Sequence, residues 1–377
     1  MKTYLAKVLF DGEKKLRDKF ITIDEAKGEI IEVSDYSPNG EYEEWEYITP
    51  AFIDVHSHIG LARFGAPIGD EDVNEPSKYL NPLAFILDVY DLSDKGLKEA
   101  FSFGVVIASI LPGSGNLVGG EGAVVYLKAD TLDDAFIKTG GIKAALGENP
   151  KSFGNSGDRP GTRLGVFETL RKNLIEARNN LKLLNKRKKV WEELSPEEQR
   201  WVQILTKQLP LRVHVHTETD VMAFLRIARE FDINFTLEHL ANVKSRRIFE
   251  ILKDKGVRVN YGPLDSFPYK YELRDEDWRH LKVIREVGLD IAVMSDHPVI
   301  LAQSLFVSLR YMLLCGYKEE EVIKAITYQA AKHLDLEGKG KVEKGYEANI
   351  LLWRRNPFLL PSRPDVVVFK GKEYPNK

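Results

Sequence analysis

The sequence is poor in cysteine, in long apolar runs and in net charge, and each shortage excludes something. One cysteine, Cys315, in 377 residues leaves no intrachain disulfide and no cysteine-rich zinc module. Its place in an apolar helical run implies a buried, inert thiol. Lys plus Arg number 54 against 57 Asp plus Glu, a net charge of −3. That balance provides neither the basic footprint of a nucleic-acid binder nor a polybasic membrane patch. No stretch reaches the roughly 20 apolar residues of a membrane-spanning helix. The start, MKTYLAKVLFDGEKK, lacks the apolar core of a signal peptide. A cytoplasmic protein is expected, without nucleic-acid or membrane partners; a homo-oligomer is compatible with the sequence. Histidine is also scarce, eight in all, which makes its placement informative.

What is present is ample apolar material, 43% of the chain, enough for a large core. Residues 1–48 carry short apolar pieces punctuated by Gly, Asp and Asn, the pattern of a small antiparallel β unit. Residues 340–377 look alike, with Ile350-Leu351-Leu352-Trp353 and Val366-Val367-Val368-Phe369. Neither end can bury a core alone, so the two are expected to pair into one small β domain enclosing the rest. Between 49 and 339, apolar β runs alternate with helical segments, which points to parallel strands with crossover helices. Candidate strands fall at 51–57, 104–111, 122–129, 141–147, 211–217, 235–239, 256–262 and 290–295. Eight of them would close a (β/α)8 TIM barrel of the α/β class. Helices are expected at 220–231, 244–255, 275–287 and 302–314, with a charged helical insert at 166–189 and Ser195 as a helix N-cap.

The strand 51–57 ends in Asp54-Val55-His56-Ser57-His58. Side chains alternate along a strand, so His56 and His58 project to one side, where two neutral imidazoles can grip a divalent ion. Alone, an HxH pair is more often accident. Here, however, His214-Val215-His216, Glu238-His239 and Ser295-Asp296-His297 end three further strands, on the face where barrels build active sites. Only His280 and His333 lie in helices. Imidazoles and a carboxylate suit zinc or a similar ion, which lowers the pKa of bound water to about 7. Asp296 could then take the proton and deliver it to a leaving amine, its alternative role being a structural cap.

At this point the run ITPAFIDVHSHIG resembles the first-strand signature of the amidohydrolase superfamily, and the resemblance covers nearly the whole chain. The later histidines, Ser295-Asp296-His297-Pro298 and GKGKVEKGYEANI (338–350) agree in order. The branch it is most similar to contains imidazolonepropionase and prolidase-type dipeptidases. The resemblance implies metal ligands at His56, His58, His216, His239 and Asp296, with His214 turned toward substrate; in another register His214 and His216 exchange roles. It also implies a bridging group on the fourth strand. Lys143, converted by carbon dioxide to a carbamate (an N6-carboxylated lysine), and Glu148 both match, and a mononuclear site needs neither. Glu121 is a remoter candidate. Ala51 and Asn349 depart from the family pattern outside the metal site.

The implied function is metal-dependent hydrolysis of a C–N bond in an amide, cyclic amide or dipeptide, by activated hydroxide with Asp296 as proton shuttle. Alternatives are a deaminase or a catalytically silent barrel serving as a binding module. Thr219 stands where mononuclear deaminases place a glutamate, and every histidine ligand is kept, which counts against each in turn. Substrate contacts are expected from Arg163 or Arg159, through bidentate recognition of a carboxylate, and from Tyr261 or Asp265 after the seventh strand.

Overall fold

The computed structural model describes residues 1–37, 40–63, 65, 71–152, 159–264, 266–360 and 363–376. Two sheets organise them. The first contains β1 (Lys2–Phe10), β2 (Lys15–Asp24), β3 (Glu29–Ser34) and β4 (Glu43–Pro50) from one end of the chain. It also contains β13 (Ile350–Trp353), β14 (Val366–Phe369) and β15 (Lys372–Pro375) from the other, in the order β15-β14-β13-β4-β1-β2-β3. Strand β13 runs antiparallel to β4, with Ile350 opposite Pro50 and Trp353 opposite Tyr47. Tyr4, Leu9, Ile21, Ile23, Ile48 and Ile350 belong to a core of its own. Apolar residues alternating along each strand put this set on one face.

The second sheet holds β5 (Phe52–Ser57), β6 (Val105–Ile110), β7 (Val118–Tyr126), β8 (Phe136–Ala145), β9 (Leu211–Thr217), β10 (Phe235–Asn242), β11 (Arg258–Tyr261) and β12 (Ile291–Val293), paired in chain order. It curls until its edges meet: Asp296 N donates to His56 O at 3.0 Å and His58 N to His297 O at 3.1 Å. The result is a mixed α/β fold around a nearly closed eight-stranded barrel. Every residue of β5 is buried, because one face lines the barrel interior and the other meets surrounding elements. Strand β4 leads through Ala51 straight into β5, joining the two sheets.

The barrel departs from an all-parallel arrangement at β7, which runs antiparallel to both β6 and β8. The connections 111–117 and 127–135 are too short for a parallel crossover, which takes a dozen residues or more. Later strands are parallel, with helices between them at Glu218–Phe231, Arg246–Asp254 and His280–Val287. The insert forms the helix Arg163–Asn185. Ser195 caps the helix Pro196–Leu205, accepting from Glu198 N while the Glu198 side chain accepts from Ser195 N. The segment 302–314 breaks into a 3-10 turn and two short helices, where Ser308 Oγ turns back onto Leu305 O at 2.7 Å. Cys315 is buried, its thiol pushed up by burial. Among the described residues no helix is long and apolar enough to cross a membrane.

Candidate active site

The carboxyl ends of β5, β8, β9, β10 and β12 converge on one buried cluster. Strand alternation carries His56 inward from β5, with His58 just beyond the strand, and their ring centroids lie 5.3 Å apart. Asp296 follows β12, its Oδ1 lying 3.2 Å from His58 Nε2 and 3.5 Å from His56 Nε2. Lys143, fully buried on β8, brings Nζ to 3.3 Å from His56 Nε2 and 3.1 Å from Pro112 O. His239 comes from β10, where a bulge breaks the register with β9 and the backbone turns left-handed (φ 79°). Asp296 is left-handed as well (φ 52°). Such conformations cost energy and collect at functional sites. His214 and His216 complete the group, with ring centroids 4.4 and 4.9 Å from that of His239.

Hydrogen bonding sets the tautomers. His58 Nδ1–H donates to Leu111 O (2.7 Å), His239 Nδ1–H to Gly262 O (3.0 Å) and His56 Nδ1–H to the carboxylate of Glu238 (3.0 Å). Each ring therefore presents an unprotonated Nε2, the form that binds metal. Among the described residues the cluster's His214 Nδ1, His216 Nδ1 and His239 Nε2 are buried without a partner. Buried polar atoms are normally satisfied, so such a group points to a missing ion or water. Two donor triads, His56–His239–Asp296 and His214–His216–His239, are compact enough to hold an ion.

The electrostatics agree. Burial would raise the Asp296 carboxyl, but the imidazoles of His239, His58 and His56 outweigh it and hold the group well below the usual carboxylate range. Burial lowers the Lys143 amine to about 8. Burial likewise lowers His56, His214 and His216, and takes His239 to about 4 and His333 to about 3. The metal-free protein is therefore expected to lose stability on acidification. The unfolded chain takes up protons from about pH 6.5, whereas the folded chain resists until about 4 at His239 and about 3 at His333, so stability falls through that window. Asp54, raised to about 7 by burial, acts in the opposite sense, one group against several imidazoles. Denaturant midpoints that rose between pH 7 and pH 5 would contradict this.

Other candidates stand apart from the cluster. Glu148 sits at the rim, where its Oε2 accepts from Glu272 N (3.2 Å) while Glu272 Oε2 accepts from Glu148 N (2.9 Å). Arg163 donates to Asp220 at 2.7 Å and lines a cleft of about 790 Å³ with Glu148, Thr217 and Glu272. Arg159 donates to Gly115 O, and Glu121 is ion-paired with Arg200 at 2.6 Å. Tyr261 is packed in the core and shares a small cavity with Glu276, Asp277 and Arg279. Its strand neighbour Asn260 takes the inward position and bonds Glu238, so strand alternation turns Tyr261 away from the histidines. Asp265 lies outside the described residues.

Sequence reading missed Lys270 and Glu272. Lys270 Nζ lies 2.8 Å from Glu272 Oε1, 2.9 Å from Asn149 Oδ1 and 3.4 Å from His214 Nε2. Lys270 precedes and Glu272 belongs to the 3-10 turn Tyr271–Leu273, too short for a periodicity to mark an inward residue. Glu238 was noted beside His239 without a role, and Arg212 was missed although a signal existed: it shares the inward parity of His214 and His216.

Residues 186–374 match the model of the amidohydrolase family. Amidohydrolase tasK of Hapsidospora irregularis is 26% identical over 356 residues, covering 86% of this chain and 36% of that protein. The chain thus spans about a third of the length of that curated relative. A solved amidohydrolase from Thermotoga maritima MSB8 superposes with a TM-score of 0.91 at 30% identity, covering 100% of both chains. A prolidase complexed with N-methylphosphonate-L-proline shares the fold, with a TM-score of 0.62 at 15% identity over 100% of both chains. By its matched family model and by the fold and identity it shares with the Thermotoga protein, this chain belongs to the amidohydrolase family.

Proposed function

We propose that the protein is a metal-dependent hydrolase of a C–N bond in an amide, cyclic amide or dipeptide. The observation that carries this is the convergence of donor atoms at the strand ends. His56 Nε2 and His58 Nε2 face Asp296 Oδ1, and a second compact donor triad, His214–His216–His239, adjoins them through the His56–His239 ring contact. This donor set fits zinc or a similar divalent ion, one or two in number. In this reading residues 1–48 and 340–377 form a small β-sandwich domain and residues 49–339 a (β/α)8 TIM barrel.

His56, His58 and Asp296 would hold one ion, and His239 with His216 or His214 a second. Lys143 reaches the first set; its lowered amine favours the neutral form that adds carbon dioxide to become an anionic bridge. The rim position of Glu148 makes Lys143 the better bridge of the two. A bound divalent ion supplies Lewis acidity and lowers the pKa of water. Asp296, held ionised, takes a proton from the attacking water on its other oxygen, Oδ2, and returns it to the leaving nitrogen as the C–N bond breaks. Arg163 on the cleft wall and His214, whose Nε2 lies 3.4 Å from Lys270 Nζ, would orient the substrate. The proline-containing ligand of the structurally similar prolidase supports including dipeptides among the candidates.

The test is a metal assay on protein purified without added metal, followed by a screen of N-acyl amino acids, dipeptides and cyclic ureides. Bound divalent metal and cleavage that a chelator abolishes and zinc, cobalt or manganese restores are expected. Protein with neither metal nor metal-stimulated turnover would favour a silent barrel, and release of ammonia from an amidine-like substrate would favour a deaminase.

A further inference from the structure

Beneath the histidine cluster a polar chain, Gln329–His333–Asn260, crosses the barrel interior and ends on the Glu238 carboxylate that meets His56. We infer that Glu238 is a positioning residue for metal capture: it holds His56 as the Nδ1–H tautomer and so aims an unprotonated Nε2 at the metal position. This rests on the metal reading proposed above.

The polarity is set at the Glu238 end. Arg212 keeps that carboxylate an anion that can only accept, so the Asn260 amide nitrogen faces it, 3.1 Å from both carboxylate oxygens. Asn260 Oδ1 then accepts from His333 Nδ1–H at 2.8 Å. His333 Nε2 is left to accept from the Gln329 amide at 2.8 Å. Arg212 grips the same carboxylate side-on, Nε at 2.6 Å and Nη2 at 3.2 Å, and Thr236 Oγ1 donates at 2.5 Å. Every group around Glu238 is thus a donor, and with Arg212 on it Glu238 remains an acceptor-only anion. The last position on its Oε2 is His56 Nδ1, which must carry the proton. At the far side of the ring, Lys143 Nζ lies 3.3 Å from His56 Nε2, where it can donate to that nitrogen once Nδ1 carries the proton.

A purely structural ion pair would not account for the contact with His56. Buried Arg–Glu pairs gain little over apolar residues of similar volume, and here four further polar side chains are buried with the pair. His58 and His239 obtain the same tautomer from the backbone carbonyls of Leu111 and Gly262. At His56 a carboxylate takes that place, and a carboxylate partner raises ligand basicity further.

The test labels histidine with 15N and follows His56 in metal-free protein and during zinc titration. It compares wild type with Glu238→Gln and with the double variant Glu238→Met/Arg212→Met, which leaves no unpaired charge and keeps the experiment open if the single variant does not fold. The wild-type His56 is expected to be Nδ1-protonated. In the variants the zinc concentration that shifts its Nε2 resonance should rise by about 10- to 100-fold, the usual cost of losing an outer partner of a ligand. In the double variant the tautomer mixture should move toward Nε2–H. A His56 signal and zinc response unchanged in the folded double variant would overturn the inference. If wild type itself takes up no zinc, the metal reading fails separately, while the tautomer comparison still decides the role of Glu238.

Discussion

Asp296→Asn protein is expected to keep its fold and most of its metal while turnover drops by about 10²- to 10⁴-fold, the range for removal of a positioned acid–base group. The substitution is close to isosteric, so the contacts to His58 Nε2 at 3.2 Å and His56 Nε2 at 3.5 Å keep an oxygen ligand. What disappears is the anion. An amide oxygen cannot hold the proton of the attacking water or hand it to the leaving nitrogen. Asparagine also suits the backbone, because position 296 is left-handed (φ 52°) and Asn and Asp tolerate that region better than other residues with a Cβ. Alanine would add strain and confuse the result. The measurement is kcat on a cleaved amide beside metal content by mass spectrometry; full activity with metal retained would remove Asp296 from the proton path.

Arg212→Met should be among the most destabilising single changes in the barrel, by about 3–5 kcal/mol, because it leaves the Glu238 carboxylate buried without its countercharge. The two side chains are 3% and 0% exposed, so water cannot take over. Arg212 also donates to Val55 O at 2.6 Å, Ser109 Oγ at 3.0 Å and Gly140 O at 3.3 Å. One guanidinium thereby ties β5, β6 and β8 to its own strand β9, and removing it leaves those acceptors short as well. Denaturant unfolding of the metal-free variants, read as a double-mutant cycle with Glu238→Met, would show strong coupling: the double change should cost less than the sum of the singles. Additive losses would mean that the pair is not a unit.

Much of the cluster was legible because its residues obey local rules. His56 and His58 sit two apart at the end of an apolar strand, as do His214 and His216, and period-two alternation needs no partner to be read. Lys143 came from the family resemblance, as one of two matches to its bridging position. Tyr261 was harder: β11 is only four residues long, and its parity became visible only when Asn260 was found against Glu238. Glu148 matched the spacing of a strand-end carboxylate, yet it is engaged with the backbone of Glu272, more than a hundred positions away in the chain. The antiparallel β7 was hidden for another reason. The apolar run itself reads the same in either direction, and only the short connections on each side reveal the reversal.

Composition, strand-end histidines and the similar apolar pieces at the two termini were enough to define the α/β class, the candidate donor side chains and the face that carries them, since these depend on hydrophobic period and side-chain chemistry within a few residues. Which nitrogen of each imidazole faces the centre, that Lys143 reaches His56, and that Lys270 and Glu272 close in from a distant loop were decided only in three dimensions. Tautomer and pairing depend on acceptors such as Leu111 O, Gly262 O and the Glu238 carboxylate, which closure of the barrel brings to the histidines from other strands and loops.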